Sequence, residues 1–264
     1  MLMAVKNQIR VTLLSIKYGL MKEMLNKTTF IMNILFMILN NSAFIIQWII
    51  IYSLKSNIGG YSFKQILLVW GFAAGSYGFS HFFFKRVYTL SEMITNGKLD
   101  SYIVQPKNIL LSAITSDVDP SAIGDMVYSI IMMIISGLTM SKYLIYILFC
   151  ICGGIILTDI AVIYGSLSFW LNRADMLAYI GNGLITHFAT YPEGIFDGIA
   201  KVLLYTIIPV GITNYIPVQI MTNFDFERTF LVIGATFIWT LFAYTIFYKG
   251  LRKYSSSNLM MAKI

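Results

Sequence analysis

The sequence predicts an all-α integral membrane protein with six transmembrane helices. Three observations carry that expectation. Hydrophobic residues make up 58% of the 264 positions and charged residues only 12%, where a soluble domain carries about 25% charged residues. The mean hydropathy is +0.74. Apolar runs long enough to cross a bilayer core of ~30 Å, which takes about 20 helical residues, recur along the chain. The length leaves room for one membrane domain over 1–264 and no attached catalytic domain. In a soluble protein the net charge of +7 would suggest nucleic acid. Here no nucleic acid is expected, and the excess is explained by cations held on the inner side of a membrane.

Residues 1–27 come first. Val5, Ile9, Leu13, Ile16, Leu20 and Met24 recur at spacings of four and three and so share one helical face. Lys6, Arg10 and Lys17 edge that stripe. Such a helix lies in the membrane interface with its cations near anionic headgroups, so membrane lipid is an expected partner. The Lys residues leave no continuous apolar core for a cleavable signal peptide.

The first span is read over 28–54 and, after a short outer turn with Gly59-Gly60, the second over 63–84. The second carries Gly71, Gly75 and Gly78, a small-residue spacing that lets helices approach closely. A polar stretch, 85–119, separates it from a third span at 120–139, which opens after Asp119-Pro120. The fourth span covers 143–171 and the fifth 176–198, interrupted by Tyr191-Pro192-Glu193-Gly194. Residues 199–217 are apolar yet broken by Pro209, Gly211 and Pro217. Non-helical backbone at membrane depth survives only under protein or beside a water-lined cavity, so a re-entrant outer hairpin is expected there, with an ordinary kinked span as the alternative. An outer loop at 221–228, a sixth span at 229–248 and a basic tail complete the chain.

Placing both termini and the 85–119 loop in the cytoplasm puts fourteen Lys and Arg inside, Arg173 and Lys263 among them, and five outside. That asymmetry favours six spans over seven. Chemistry-bearing motifs are absent. There is no GxxxxGK[ST] to cradle phosphates, and no GxSxG, HExxH or CxxC. Cys150 and Cys152, two apart on a helix, point to different faces and form no metal or disulfide pattern. No catalysis by this chain alone is expected.

The 85–119 loop is the most informative stretch. Gly97 permits a sharp bend and Pro106 fixes the exit. Leu99, Tyr102, Ile103 and Val104 form a short apolar face, with Lys98 and Asp100 as polar contacts. A short helix of this kind can insert into a groove on another protein, or can be a solvated loop with a cap at its turn.

With six spans, an interfacial N-terminal helix and a broken outer hairpin, the chain resembles an ABC-2 type permease, the membrane subunit of a bacterial ABC exporter. Ile94-Thr95-Asn96-Gly97-Lys98-Leu99-Asp100 followed by Pro106-Lys107-Asn108-Ile109-Leu110 is similar to the G-x-L-D…P cytoplasmic loop of one branch of that superfamily. Tyr191-Pro192-Glu193-Gly194-Ile195-Phe196 and the segments around Pro209 and Pro217 look like that branch too. The resemblance implies coupling to a separate ATPase through Glu92, Gly97, Lys98, Leu99, Asp100, Tyr102 and Pro106. It implies a second permease subunit, the same chain or a related one. It implies no cofactor in this chain, with ATP and Mg held by the ATPase, and a place in the bacterial plasma membrane.

Ionisable residues within apolar spans mark pathways or interhelical hydrogen bonds. Asp159 lies inside span four, Asp125 near one end of span three, and His187, Tyr191 and Glu193 beside the Pro192 break. Asp159, His187, Tyr191 and Glu193 are the candidate substrate-pathway residues. An ATPase-independent secondary carrier or flippase, with Asp159, His187 and Glu193 as a proton relay, is the alternative function. The absence of a visible internal repeat weakens it.

Overall fold

In the computed structural model, residues 2–171 and 174–255 are described. Arg173 and Lys263, counted above among the inner cations, lie outside the described residues, as does most of the basic tail. Twelve α-helices, α1 to α12, run in chain order among the described residues, with no strand. Four are long and apolar enough to cross a membrane: α2 (Lys27–Leu54), α3 (Phe63–Phe84, running on toward Thr95), α8 (Tyr143–Ser166 with its flanking turns) and α12 (Phe226–Leu251). The bent pair Gly198–Thr206 and Gly211–Thr222, broken by 77°, makes a fifth if counted as one span.

Burial ranks the long helices. In the most apolar stretch of α3 and of α8, 67% of residues are buried inside the protein, against 17% in α2 and 22% in α12. The first pair forms the centre and the second pair flanks it, presenting apolar side chains such as Phe36, Leu39, Phe237 and Ile238 outward. Small residues let the centre close. A Cβ on Gly75 would stand 2.5 Å from Ser129 Oγ and 2.6 Å from Cys150 Sγ, and one on Gly78 would stand 2.9 Å from the Ala122 carbonyl. The glycine face of α3 thus receives both α7 (Ala122–Ile135) and α8 at close range.

Several boundaries differ from the sequence expectation, each for a local reason. The third helix covers 122–135 rather than 120–139, because Gly137 takes a positive φ of 77° and turns the chain away. Its 14 residues reach only about 21 Å at 1.5 Å per residue, and half of them are buried against α2 and α3. The fifth helix, α9, runs Ala174–Phe188 instead of to 198. Pro192 follows, buried and unable to donate to a continuing helix, and a 3₁₀ turn takes Glu193–Ile195. The expected outer loop at 221–228 is mostly helical: α11 (Ile216–Thr222) runs through Thr222 and α12 begins at Phe226. The Asp225 carboxylate sets that start by accepting from the backbone N–H groups of Glu227 (2.9 Å) and Arg228 (3.3 Å).

Residues 198–222 form α10 (Gly198–Thr206), a sharp turn through Pro209, a π-helical turn at Gly211–Tyr215, and α11. Asn214 ties the turn into the centre, donating to the Ala189 carbonyl at 2.8 Å and the Val69 carbonyl at 3.3 Å. At the same end of the bundle, the 55–62 turn packs Gly59 directly on Gly194.

Candidate functional site

The 85–119 stretch is a packed knob rather than an open loop. A 3₁₀ turn at Lys85–Thr89 leads into α4 (Leu90–Thr95), α5 (Asp100–Ile103) and α6 (Ile109–Ile114). Val87, Leu90, Met93 and Ile94 are buried against Ala161 and Val162 of α8 and Ala243 and Phe247 of α12. Gly97, at φ 69°, makes the bend between α4 and α5. Across that bend Lys98 Nζ lies 2.6 Å from Glu92 Oε1, and this ammonium holds the Glu92 carboxyl below the usual carboxylate range. Both side chains are about half exposed. Asp100 Oδ1 accepts from Tyr254 Oη at 2.7 Å.

The expected apolar face divides. Leu99 is fully buried in the knob and Tyr102 half-buried against it, while Ile103 and Val104 face outward with Gln105 and Pro106. Asn108 Oδ1 caps α6 by accepting from Leu111 N at 2.8 Å. Helix α1 (Leu2–Glu23) braces this part of the knob: Gln8 Oε1 accepts from Asn108 N at 2.9 Å, and Ser15 Oγ donates to the Thr115 carbonyl at 2.9 Å. The α1 stripe of Val5, Ile9 and Leu13 remains exposed.

A cavity of about 370 Å³ opens between α2, α3, α7, α9 and the π-helical turn. Its walls are aromatic and polar. Phe44 stacks on Trp70 at 5.4 Å, and Trp48 meets Tyr191 edge-on at 6.1 Å. Asn41 Nδ2 donates to Asp125 Oδ1 at 2.6 Å across the α2–α7 contact. The other Asp125 oxygen, the Trp70 indole N–H and the Ser76 hydroxyl have no hydrogen-bond partner among the described residues, although all three side chains are buried. His187 and Tyr191 reach the rim as exposed side chains.

The other two pathway candidates sit elsewhere. Asp159 accepts from Thr240 Oγ1 at 2.7 Å and lines a separate cavity of about 260 Å³ between α8, α12 and the knob. Glu193 is buried in a polar knot. Its Oε1 receives Tyr205 Oη at 2.8 Å and lies 2.9 Å from Lys201 Nζ; its Oε2 receives Gln219 Nε2 at 3.0 Å and Tyr61 Oη at 3.4 Å. Burial first, and the Glu193 carboxylate second, raise the Tyr61 phenol above its usual range, so it stays a donor. The structure therefore brings His187 and Tyr191 together and separates them from Asp159. Among the described residues no three His, Cys, Asp or Glu side chains gather as a metal site.

Sequence reasoning passed over Asn41, Trp70 and Ser76, and set Asp125 aside as an end-of-helix residue. One signal was present: Asn40-Asn41-Ser42 is a run of three polar residues in the middle of a mostly apolar 28-residue helix. Intramembrane polar residues need partners or a purpose.

A search among curated proteins and a search among solved structures each return no match. The family model described as ABC-2 family transporter protein matches residues 36–258. That span takes in α3 to α12 with the knob and the bent pair, as well as the part of α2 that lines the cavity. The chain belongs to the ABC-2 transporter family and is a membrane permease component of that class.

Proposed function

We propose that this chain is the permease of an ATP-binding cassette exporter that crosses the plasma membrane of a bacterium six times with both termini in the cytoplasm. The six spans are α2, α3, α7, α8, α9 and α12, with 198–222 as a re-entrant hairpin and α1 lying in the interface. A separate ATPase binds ATP and Mg and grips the 85–119 knob, and a second permease subunit completes the pathway. The observation that carries this reading is the family match over 36–258 together with the build of the knob. Its inner face shares one buried core with α8 and α12, Leu90, Met93 and Leu99 belonging to it beside Ala161, Val162, Ala243 and Phe247, and its tip, Ile103 to Pro106, is exposed. A push on that tip passes into two long helices without being absorbed by a flexible linker. The pathway then alternates between two arrangements biased by nucleotide state.

Co-purification tests it. A tagged chain expressed from its native genomic setting should bring down an ATPase with a phosphate-binding loop. Replacement of the tip residues Val104 and Gln105 by Asp should lower that recovery while membrane insertion is retained. Recovery of the chain without any ATPase in mild detergent, together with transport that needs no nucleotide, overturns the proposal.

A further inference from the structure

Asp159 stands apart from the other pathway candidates, in the cavity of about 260 Å³ between α6, α8 and α12. Its Oδ2 accepts from Thr240 Oγ1 at 2.7 Å, and its Oδ1 has no hydrogen-bond partner among the described residues. Asp125 Oδ2, Trp70 Nε1 and Ser76 Oγ are unpartnered too, but packing shuts them in. Asp159 Oδ1 is not shut in: the side chain keeps 7% of its surface and lines the cavity. Buried polar atoms are ordinarily paired, so an open, unpaired carboxyl oxygen marks a place for a donor. The rest of the lining is apolar or neutral. Asp159 is its single acid, and no Lys, Arg or His lines it. Ile114, Val162 and Ala243 are buried and form the floor, Asn108 and Leu111 are half-buried, and Tyr244 is exposed. The mouth is therefore on the side of Tyr244 and Asn108. Asn108 is also the residue that Gln8 of α1 holds, which puts the mouth at the level of that helix.

We infer that this cavity binds the ammonium end of a lipophilic amine, whose apolar chain leaves past Tyr244 into the lipid. The ammonium donates to Asp159 Oδ1 while Thr240 holds Oδ2. An ionised carboxylate among apolar walls is costly alone, and a paired ammonium offsets that cost. Phe84 and Tyr244 line the same space and attract a cation through their rings. An anionic head meets the Asp159 carboxyl and no compensating cation. The volume of about 260 Å³ is below the roughly 300–1,000 Å³ of sites that enclose a whole small molecule, so it takes a head and not a tail. Two sources share this chemistry: a free long-chain amine, and the headgroup of an aminophospholipid with its phosphate left at the mouth. An occupant lies against α6 of the knob and against α8 and α12 at once. On the permease reading that is the contact through which the knob moves those helices; the site itself needs no ATPase.

The test uses the full chain in nanodiscs of phosphatidylcholine without an ATPase. The probe is a long-chain primary amine with a diazirine beside its head, and the controls are the carboxylic acid and the alcohol of the same chain. After irradiation, mass spectrometry should find the amine on peptides carrying Leu111 or Tyr244. Labelling should saturate, be displaced by dodecylamine, and exceed that by the acid and the alcohol. In Asp159→Asn, which keeps shape and removes charge, half-saturation should move up at least about tenfold, equivalent to about 1.4 kcal/mol. If Asp159→Asn does not fold, Leu111→Trp, which narrows the mouth and leaves the Asp159–Thr240 pair alone, should abolish the saturable labelling. Nanodiscs containing phosphatidylethanolamine separate the sources: displacement of the probe assigns the site to a lipid headgroup, no displacement assigns it to a free amine, and the ammonium site stands in both. Equal labelling by the acid, unchanged half-saturation in the variants, or no saturable labelling of these peptides because water alone occupies the space, overturns the inference. Failure here with ATP-dependent transport intact refutes the amine site alone. Saturable amine labelling of a chain that captures no ATPase refutes the permease reading alone.

Discussion

Tyr254 donates a 2.7 Å hydrogen bond to Asp100 across 154 residues of sequence, joining the chain beyond α12 to the start of α5. Burial, then the Asp100 carboxylate, raises the Tyr254 phenol above its ordinary range, so it remains a donor throughout the physiological range. The bond ties the knob at α5, whereas the α1 contacts fall at Asn108 and Thr115.

Tyr254→Phe keeps the ring against Phe169 and removes the hydroxyl. A hydrogen bond to a charged group contributes about 1.5–3 kcal/mol, and partial exposure lowers that here. The knob should open more readily while the bundle stays folded. Limited trypsin digestion at Lys98 and Lys107 should speed up several-fold in the variant. Identical digestion rates would show that the bond does not hold the knob.

Gly97 occupies the left-handed region at φ 69°. Gly97→Ala should cost about 1 kcal/mol in local strain, and Gly97→Asn less, because Asn tolerates that region. In a chain paired with its ATPase, substrate-stimulated ATP hydrolysis should fall in the order Gly, Asn, Ala. A series with no order would mean that the bend is not what transmits the movement.

Glu193 gathers Tyr61, Lys201, Tyr205 and Gln219, pinning the turn after α9 to the 55–62 turn, α10 and α11. Glu193→Gln and Tyr205→Phe should each lower stability by about 1–3 kcal/mol. They should be non-additive, with a coupling of about 0.5–3 kcal/mol, because they share one bond. Thermal unfolding of the two single variants and the double variant in detergent reads this directly. Strict additivity would separate them.

Gly75→Ala places a methyl against Ser129 and Cys150. Overpacking of this kind costs about 1–3 kcal/mol. Gly183→Ala, at a position open to space, should cost little. The pair, compared by thermal unfolding, tests whether the glycine face of α3 is a packing device.

Much of the fold was legible because lipid imposes a simple rule: long apolar runs become helices. The ends of α2 and α3 fall within a residue of the sequence reading, at Lys27–Leu54 and Phe63–Phe84. Where helices end for local reasons, the pattern said less. The positive φ of Gly137 and the capping by Asp225 leave no trace in hydropathy. The knob was legible as a segment and not as a packed object. Periodicity over four residues could not tell that Leu99 turns inward while Ile103 and Val104 turn outward. The cavity was the least legible feature. Asn41 from α2, Trp70 and Ser76 from α3 and Asp125 from α7 meet only through the tertiary packing that the α3 glycines permit. Each of them alone reads as an ordinary interhelical contact.

The orientation of the knob is the claim on which the account turns, and a single labelling experiment reaches it. Gln105 is exposed at the tip, and the two native cysteines are buried. In intact cells, a Gln105→Cys variant treated with a membrane-impermeant maleimide should stay unlabelled, and in inside-out vesicles it should label fully unless the ATPase covers it. Labelling in intact cells would place the tip on the outer surface, out of reach of any ATP-consuming partner, and would contradict the account.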